Sequence, residues 1–407
     1  MKSIIILGST GSIGENVLQV AKTLPERMRI VGLAARSSTE RIVEQALEFG
    51  VKRIALEDRA AADKAKKLAA GHSIEVLSGA DGIAELAGSA EADTVVCALV
   101  GLSGLRPVVT AIETGHDVAL ATKEVLVAAG EMVMEMAKQH GVNILPVDSE
   151  HSALFQCMQA QDLSLACIQR GRKDGTAANC SSTIKKLVLT ASGGPFAQRD
   201  DIAFDRVTVA DALNHPRWKM GPKVTIDSAT MMNKGFEILE ARWLFNVPVA
   251  QIDVVVHPES IVHSMVSFVD GSTLAQLSVP DMRLAIQYAL SWPERYVADL
   301  QMIDLIAQQS LTFYNPDEVR FPCLRLIREA AEVGGTMPAV VNAADEVAVA
   351  AFLAGKLPFS GIWRVIEDVM RVHFVVECDS LKRVFEVDHW ARFTAERFMD
   401  EYDLVSR

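Results

Sequence analysis

The sequence predicts an α/β protein: an N-terminal Rossmann-like, doubly wound parallel sheet, then an α+β segment, then a C-terminal helical bundle. Three observations predict it. Short aliphatic runs in the first third lack polar alternation, the mark of strands buried on both faces. Amphipathic stretches of helical period separate those runs, as parallel pairing requires. From about residue 321 onward, apolar residues recur at three-to-four spacing.

The elements follow in order. SIIILG (3–8) reads as the first strand, with a helix at 14–23 and then RIVGLAA (29–35). Helix 38–49, KRIAL (52–56), helix 58–70, SIEVL (73–77) and ADTVVCAL (92–99) continue the alternation. DVALAT (117–122) and VNILPVD (142–148) each follow a further helix. The stretch 167–185, QRGRKDGTAANCSST at its centre, has no periodicity and reads as a polar surface loop. KKLVLTASGG, the run from Asp253 through HPESIVHSMVSFVDGS, and STLAQLSV read as strands, with a hairpin signal at Asp270-Gly271. The division is 1–150, 151–300 and 301–407.

The chain has 407 residues, 40 Lys+Arg against 52 Asp+Glu, and a formal net charge of −12. Half of it is hydrophobic, which excludes intrinsic disorder. The acidic balance argues against a nucleic-acid binder, since phosphate backbones select clustered Lys and Arg. No apolar run reaches the roughly 18 residues of a membrane helix. A turn at Gly8 breaks the N-terminal run MKSIIILG, so no signal sequence is expected. Six cysteines form no C-x-x-C pair and read as reduced thiols, Cys97 and Cys157 in core segments. A cytoplasmic location is expected.

Gly8-Ser-Thr-Gly11-Ser-Ile-Gly14 lies where the first strand gives way to the first helix. Small residues there let the backbone approach a pyrophosphate at a helix N-terminus. The next strand ends in Ala34-Ala35-Arg36-Ser37, with a guanidinium where an NAD site places an acid. That favours the 2′-phosphate of NADPH, although a solvated Arg on a turn has the same local sequence.

Asp148-Ser149-Glu150 closes the strand VNILPV. In extended backbone its two carboxylates share a face and suit Mg²⁺ or Mn²⁺; a D-S-E turn capping a helix fits equally. Asp227-Ser228 opens what reads as a helix carrying Asn233, Lys234 and Glu237 on one face. Ser228, Asn233 and Lys234 suit a phosphate, with Glu237 as a third metal carboxylate; a surface Lys–Glu pair is the alternative. Ser192-Gly193-Gly194 can turn N–H groups toward an anion. The segment 214–222, with His215, Trp218 and Met220, has the composition of a lid. Met231, Met232, His257 and His263 read as core.

GSTGSIG, T-K-E at 122–124, V-D-S-E at 147–150, SGGPF at 192–196, HPRWKMG at 215–221, SATMMNKGFE at 228–237 and NAADEVAVAAFLAGKLPF at 342–359 together resemble the 1-deoxy-D-xylulose 5-phosphate reductoisomerase family. The resemblance spans nearly the whole chain. It implies NADPH- and divalent-metal-dependent rearrangement and reduction of 1-deoxy-D-xylulose 5-phosphate to 2-C-methyl-D-erythritol 4-phosphate, in the non-mevalonate isoprenoid pathway. It also implies a V-shaped homodimer with NADPH-binding, α+β catalytic and C-terminal helical domains. By motif position, Thr10, Gly11, Ser12, Ile13, Ala35, Arg36, Ser37, Thr122, Glu124, Met220 and Gly221 would contact the cofactor. Asp148, Glu150 and Glu237 would hold Mg²⁺ or Mn²⁺. Lys123, Ser149, Glu150, Ser192, His215, Trp218, Ser228, Asn233, Lys234 and Glu237 would contact substrate, with Lys123, Glu150 and His215 catalytic.

Two positions depart from the family pattern. Thr122 replaces the usual Asn, which puts that cofactor contact in question, and Arg36 replaces a Lys or Ser. Two rival readings are another NADP-linked metal-dependent dehydrogenase, such as a decarboxylating enzyme of hydroxy acids, and a non-catalytic NADPH sensor. The sensor gives no reason for three carboxylates beside a phosphate grip.

Overall fold

The computed structural model describes residues 1–159, 183–199 and 201–405, with side chains to residue 400. Of the polar loop read at 167–185, residues 167–182, with Cys167 and Cys180, lie outside the described residues, and Ile184-Lys185 already belong to a strand, Ile184–Ala191. The chain forms two compact units. The first comprises Met1–Val125, Val133–Asn179 and Asp281–Met302; the second comprises Leu126–Met132, Cys180–Pro280 and Ile303–Arg407.

In the first unit, strands alternate with helices as their apolar periodicity dictates. They are β1 (Lys2–Leu7), α1 (Ser12–Thr23), β2 (Met28–Ala35), α2 (Thr39–Phe49), β3 (Arg53–Leu56), α3 (Arg59–Leu68), β4 (Glu75–Ser78) and α4 (Gly79–Ala87). There follow β5 (Thr94–Cys97), α5 (Leu105–Glu113), β6 (Asp117–Leu120), α6 (Glu124–His140, of which Leu126–Met132 is assigned to the second unit), β7 (Ile144–Pro146) and α7 (Ser149–Gln159). The seven strands pair in parallel in the order β4-β3-β2-β1-β5-β6-β7. Ile4, Ile5, Ile6 and Leu7 are all fully buried, which is why β1 shows no alternation. The connections leave in opposite directions on the two sides of β1 and β5. That makes the carboxyl ends of these strands the switch-point crevice where such sheets bind ligands. The later helix Met282–Ser291 returns to this unit and packs on α1 and α7.

The second unit is built on a four-stranded sheet. Its elements are β8 (Ile184–Ala191), α8 (Val209–Leu213), α9 (Pro222–Thr230), α10 (Met232–Phe245), β9 (Ile252–Val256), β10 (Val262–Phe268) and β11 (Thr273–Leu277). Strand order is β11-β10-β8-β9, with β8 and β9 parallel and β10 antiparallel to both its neighbours. The hairpin read at Asp270-Gly271 joins β10 to β11, with Gly271 at φ +89°. In the C-terminal part, the helix Met337–Leu353 is buried on almost every side and packs against helices Cys323–Val333, Gly361–Val372 and Leu381–Val405. Phe359 stacks edge-on against Phe196 (5.4 Å between centroids) and Trp363 (5.7 Å), which seats the loop after β8 on these helices.

One sequence expectation is corrected here. Asp227 and Ser228 do not start a helix; they lie in the last turns of α9, which runs from Pro222 to Thr230. The break falls at Met231, in left-handed conformation at φ +64°, and α10 starts after it. Met231 and Met232 are core, as read, and burial of their side chains offsets the strained backbone at 231. The Pro at the first position of α9 starts that helix earlier than the capping residues suggest.

A buried charge cluster fixes α9 to Met337–Leu353. Lys223 Nζ lies 2.6 Å from Asp227 Oδ2 and 2.9 Å from Asp345 Oδ2. Two buried carboxylates share one ammonium, and desolvation pushes the Asp345 carboxyl up against the pull of Lys223. An acid whose folded pKa is raised stabilises the fold below its unfolded value of 3.8, and loses that contribution as pH rises through the folded value. Asp345→Asn should therefore raise the melting temperature at neutral pH by a few degrees, about 1 kcal/mol, with the gain shrinking toward acid pH. A lower melting temperature at neutral pH would contradict this account of the cluster.

Candidate active site

Every candidate group in the first unit stands just past the carboxyl end of a strand. After β1, Gly8 turns at φ +94°, and a Cβ there would lie 2.4 Å from the Ala98 carbonyl oxygen. A Cβ on Gly14 would lie 2.3 Å from the Gly8 oxygen, so both positions require glycine. Gly11 precedes α1 in extended conformation. Ser12, Ile13 and Gly14 therefore present first-turn N–H groups, which suit a pyrophosphate. Thr10 and Ile13 are half-buried, while Gly11 and Ser12 are exposed. After β2, Ala35 is buried, and Arg36 and Ser37 are exposed. The Arg36 guanidinium has no hydrogen bond or ion pair among the described residues, so its charge is available to a ligand.

Beyond β6, the Thr122 hydroxyl donates to the Leu99 carbonyl at 2.6 Å. That hydroxyl ties β6 to the segment after β5. Lys123 and Glu124 are both buried. Lys123 Nζ donates to Asp148 Oδ2 at 3.0 Å, joining the ends of β6 and β7.

The extended-strand expectation for Asp148-Ser149-Glu150 is corrected. β7 ends at Pro146, and Ser149 and Glu150 form the first turn of α7. Asp148 is the cap: its Oδ1 accepts from the Glu150 N–H at 3.2 Å, and its carbonyl accepts from Ser152 N at 2.9 Å. Ser149 Oγ donates to Glu150 Oε2 at 2.5 Å. The physical reason is local: a short acid before a helix satisfies N–H groups that a strand would pair elsewhere. Both carboxylates remain half-buried at the strand end.

In the second unit, the turn after β8 and the end of α9 meet. Gly193 and Gly194 have φ of +82° and +64°, and a Cβ on Gly194 would lie 2.7 Å from the Ser228 carbonyl oxygen. The Ser192 turn and Ser228 are thus neighbours. Ser192 Oγ lies 2.9 Å from His215 Nε2. His215 Nδ1 accepts from the N–H of Trp218 (2.9 Å) and Arg217 (3.2 Å), so the ring proton is on Nε2 and is donated to Ser192. Gly194 N–H also points at Ser192 Oγ, at 3.3 Å. With both contacts accepted, the serine's own proton is left for an anionic oxygen. Burial pulls the His215 pKa down, which keeps this neutral arrangement.

The loop read as a lid connects α8 to α9 and has no regular structure. Trp218 and Met220 are half-buried, and Gly221 is exposed and caps α9. Arg217 Nε donates to the Pro258 carbonyl at 3.1 Å, a contact the sequence does not signal because HPES reads as sheet pattern. A cavity of about 820 Å³ opens beside this loop, lined by Ser192, Gly194, Arg199, Arg206, Asn214 and Arg217 among others. On α10, Glu237 is buried and accepts from Asn233 Nδ2 at 2.6 Å and from Lys234 Nζ. The surface-pair alternative is excluded, since Lys234 is 4% and Glu237 1% exposed. His257 is a satisfied core residue: Nε2 accepts from Ile261 and Val262 N–H, both at 3.1 Å.

Gly194→Ala would force a side chain into left-handed backbone and against Ser228. It should weaken binding of a phosphate or phosphonate ligand at least about tenfold, the equivalent of about 1.4 kcal/mol of strain, and leave dinucleotide affinity unchanged. Equilibrium titration with each ligand checks this.

Three family models match: 1-deoxy-D-xylulose 5-phosphate reductoisomerase over residues 4–130, and its C-terminal domain models over 144–245 and 277–394. The chain is 48% identical to the 1-deoxy-D-xylulose 5-phosphate reductoisomerase of Pelotomaculum thermopropionicum over 393 residues, 96% of this chain and 97% of that one. It is 48% identical to that of Caldanaerobacter subterraneus over 405 residues, 99% of this chain and all of the other. Among solved structures, the Zymomonas mobilis enzyme in complex with NADPH aligns with TM-score 0.88 at 37% identity, covering 98% of this chain and 99% of that one. A DOX-P reductoisomerase in complex with NADPH, fosmidomycin and magnesium aligns with TM-score 0.89 at 38% identity, covering 99% of both. With its glycine turn, strand-end acids and serine–histidine turn in place, this chain belongs to the 1-deoxy-D-xylulose 5-phosphate reductoisomerase family.

Proposed function

We propose that this protein converts 1-deoxy-D-xylulose 5-phosphate to 2-C-methyl-D-erythritol 4-phosphate with NADPH and a divalent cation, in the non-mevalonate isoprenoid pathway. The observation that carries it is 48% identity to two reductoisomerases over 96% and 99% of this chain, with the site motifs in the family's order.

The donor set fits a hard cation. Asp148, Glu150 and Glu237 offer carboxylate oxygens only, and each already meets hydrogen-bond donors that orient it. These three would hold Mg²⁺ or Mn²⁺; either ion accepts the same oxygens. When bound, the cation supplies charge stabilisation for substrate oxygens, and NADPH supplies the hydride that reduces the rearranged aldehyde.

The chain's own groups do the rest. First-turn N–H groups at Ser12 and Ile13 receive the pyrophosphate, and Arg36 and Ser37 the 2′-phosphate. Ser192 and Ser228 donate hydroxyls to the substrate phosphate, with Asn233 and Lys234 beside them. His215 orients Ser192 through Nε2–H. Lys123 holds Asp148 and presents its ammonium to a substrate oxygen. Trp218 and Met220 cover the reacting carbons and keep water from an enolate. The phosphate grip, remote from the reacting carbons, supplies binding energy for orientation.

Residues 1–150, 151–300 and 301–407 serve as cofactor, catalytic and helical segments. The protein works as a cytoplasmic homodimer. No described helix is long and apolar enough to cross a membrane, and β11 presents an edge with Leu274 exposed, which a second copy would cover.

NADPH consumption should require the sugar phosphate, stop with chelator and resume on adding Mg²⁺ or Mn²⁺; turnover of hydroxy acids instead would overturn the reading. Arg36→Ala should raise KM for NADPH by about one to two orders of magnitude, the loss of a charge-assisted contact of about 1.5–3 kcal/mol, and leave KM for NADH nearly unchanged. Equal effects on both would give Arg36 a role in folding.

A further inference from the structure

We propose that Gln45, on α2, is the positioning residue that holds the dinucleotide turn in its binding conformation; this rests on the reading of that turn as the NADPH site.

Gln45 is fully buried, and so is Ser9 at the start of the glycine turn. Ser9 Oγ donates to Gln45 Oε1 at 2.8 Å, and Gln45 Nε2 donates back to the Ser9 carbonyl at 3.0 Å. The same amide donates to Glu15 Oε1 at 2.9 Å, in the first turn of α1. One side chain thus clamps both ends of the segment whose N–H groups face the pyrophosphate. From the other side, Gly8 and Ser9 N–H both donate to the Ala34 carbonyl, at 2.8 and 2.9 Å. Ser9 has its hydroxyl turned inward to Gln45, so its part in the motif is structural.

The network extends to charge. Arg41, one turn before Gln45 on α2, binds Glu15 through Nε and Nη2 at 2.7 and 2.8 Å. A free carboxylate in the first turn of α1 would repel a pyrophosphate, and the guanidinium neutralises it. The Arg41 contact also holds the Glu15 carboxyl below its ordinary range. Because Arg36 and Ser37 lead directly into α2, one helix registers both anion-binding segments.

The position makes a prediction that Arg36 does not share. The pyrophosphate is common to NADPH and NADH, so loss of Gln45 should weaken both equally. Gln45→Met keeps the packing volume and removes the amide. Measured by nicotinamide fluorescence and steady-state kinetics, it should raise Kd and KM for NADPH about tenfold, the scale of two or three net hydrogen bonds. The NADPH/NADH preference, kcat at saturating NADPH and KM for the sugar phosphate should stay as in wild type. Ser9→Ala removes one of the three bonds and should shift Kd the same way by a smaller factor. If Gln45→Met does not fold, that variant decides. Unchanged Kd for NADPH in Ser9→Ala and in any folded Gln45→Met, or a fall in kcat and substrate affinity alongside, would overturn the inference. Failure of the wild type to bind NADPH would overturn the cofactor reading, and the inference with it.

Discussion

Parallel pairing obliges every strand of the seven-stranded sheet to end on one edge, and most of the first unit's chemistry follows from that. The glycine turn after β1, the Arg36 turn after β2, Lys123 after β6 and Asp148 after β7 arise at separate places in the sequence. They share one feature, a buried aliphatic run immediately before them. Those runs are held rigidly by packing on both faces, so the groups at their ends inherit fixed positions. The Lys123–Asp148 pair joins two such ends directly. The Thr122 hydroxyl, bonded to Leu99, ties the end of β6 to that of β5 as well.

The second unit reaches fixed positions by another route. Its turn after β8 is held by left-handed glycines, by contact with Ser228 and by an aromatic cluster beneath Phe196. Backbone that only glycine adopts readily has few alternatives once the neighbouring atoms are in place. Glu237 illustrates the electrostatic side of the same rule. A carboxylate at 1% exposure is tolerated because Asn233 and Lys234 donate to it, and both sit on the same helix one turn away. Such a carboxylate is oriented before any cation arrives.

Much of this was legible in the chain. Unalternating runs such as SIIILG and TVVC announced strands buried on both faces, and the Asp270-Gly271 hairpin was marked by its turn chemistry. Motif order pointed to the candidate site segments. Local geometry at the acids was less legible. Asp148 caps a helix, a role that competes with extended backbone for the same D-S-E triplet. Asp227-Ser228 looks like a helix start because both residues cap well, yet Pro222 had already started that helix and Met231 ends it. A left-handed methionine leaves no mark in sequence, since only the surrounding core holds it there. Gln45 was equally silent: a glutamine within an amphipathic helix reads as ordinary until the turn it clamps is seen. The tautomer of His215 depends on two backbone N–H groups, which no pattern of side chains can convey.

The metal reading stands or falls on whether Asp148, Glu150 and Glu237 serve one divalent cation. Calorimetric titration of Mn²⁺ into the wild type, Asp148→Asn and Glu237→Gln, each with NADPH affinity measured in parallel, tests it most directly. Saturable binding by the wild type is expected, with at least a roughly tenfold loss, about 1.4 kcal/mol, in each variant and NADPH affinity unchanged. Wild-type Mn²⁺ affinity retained in either variant would contradict it.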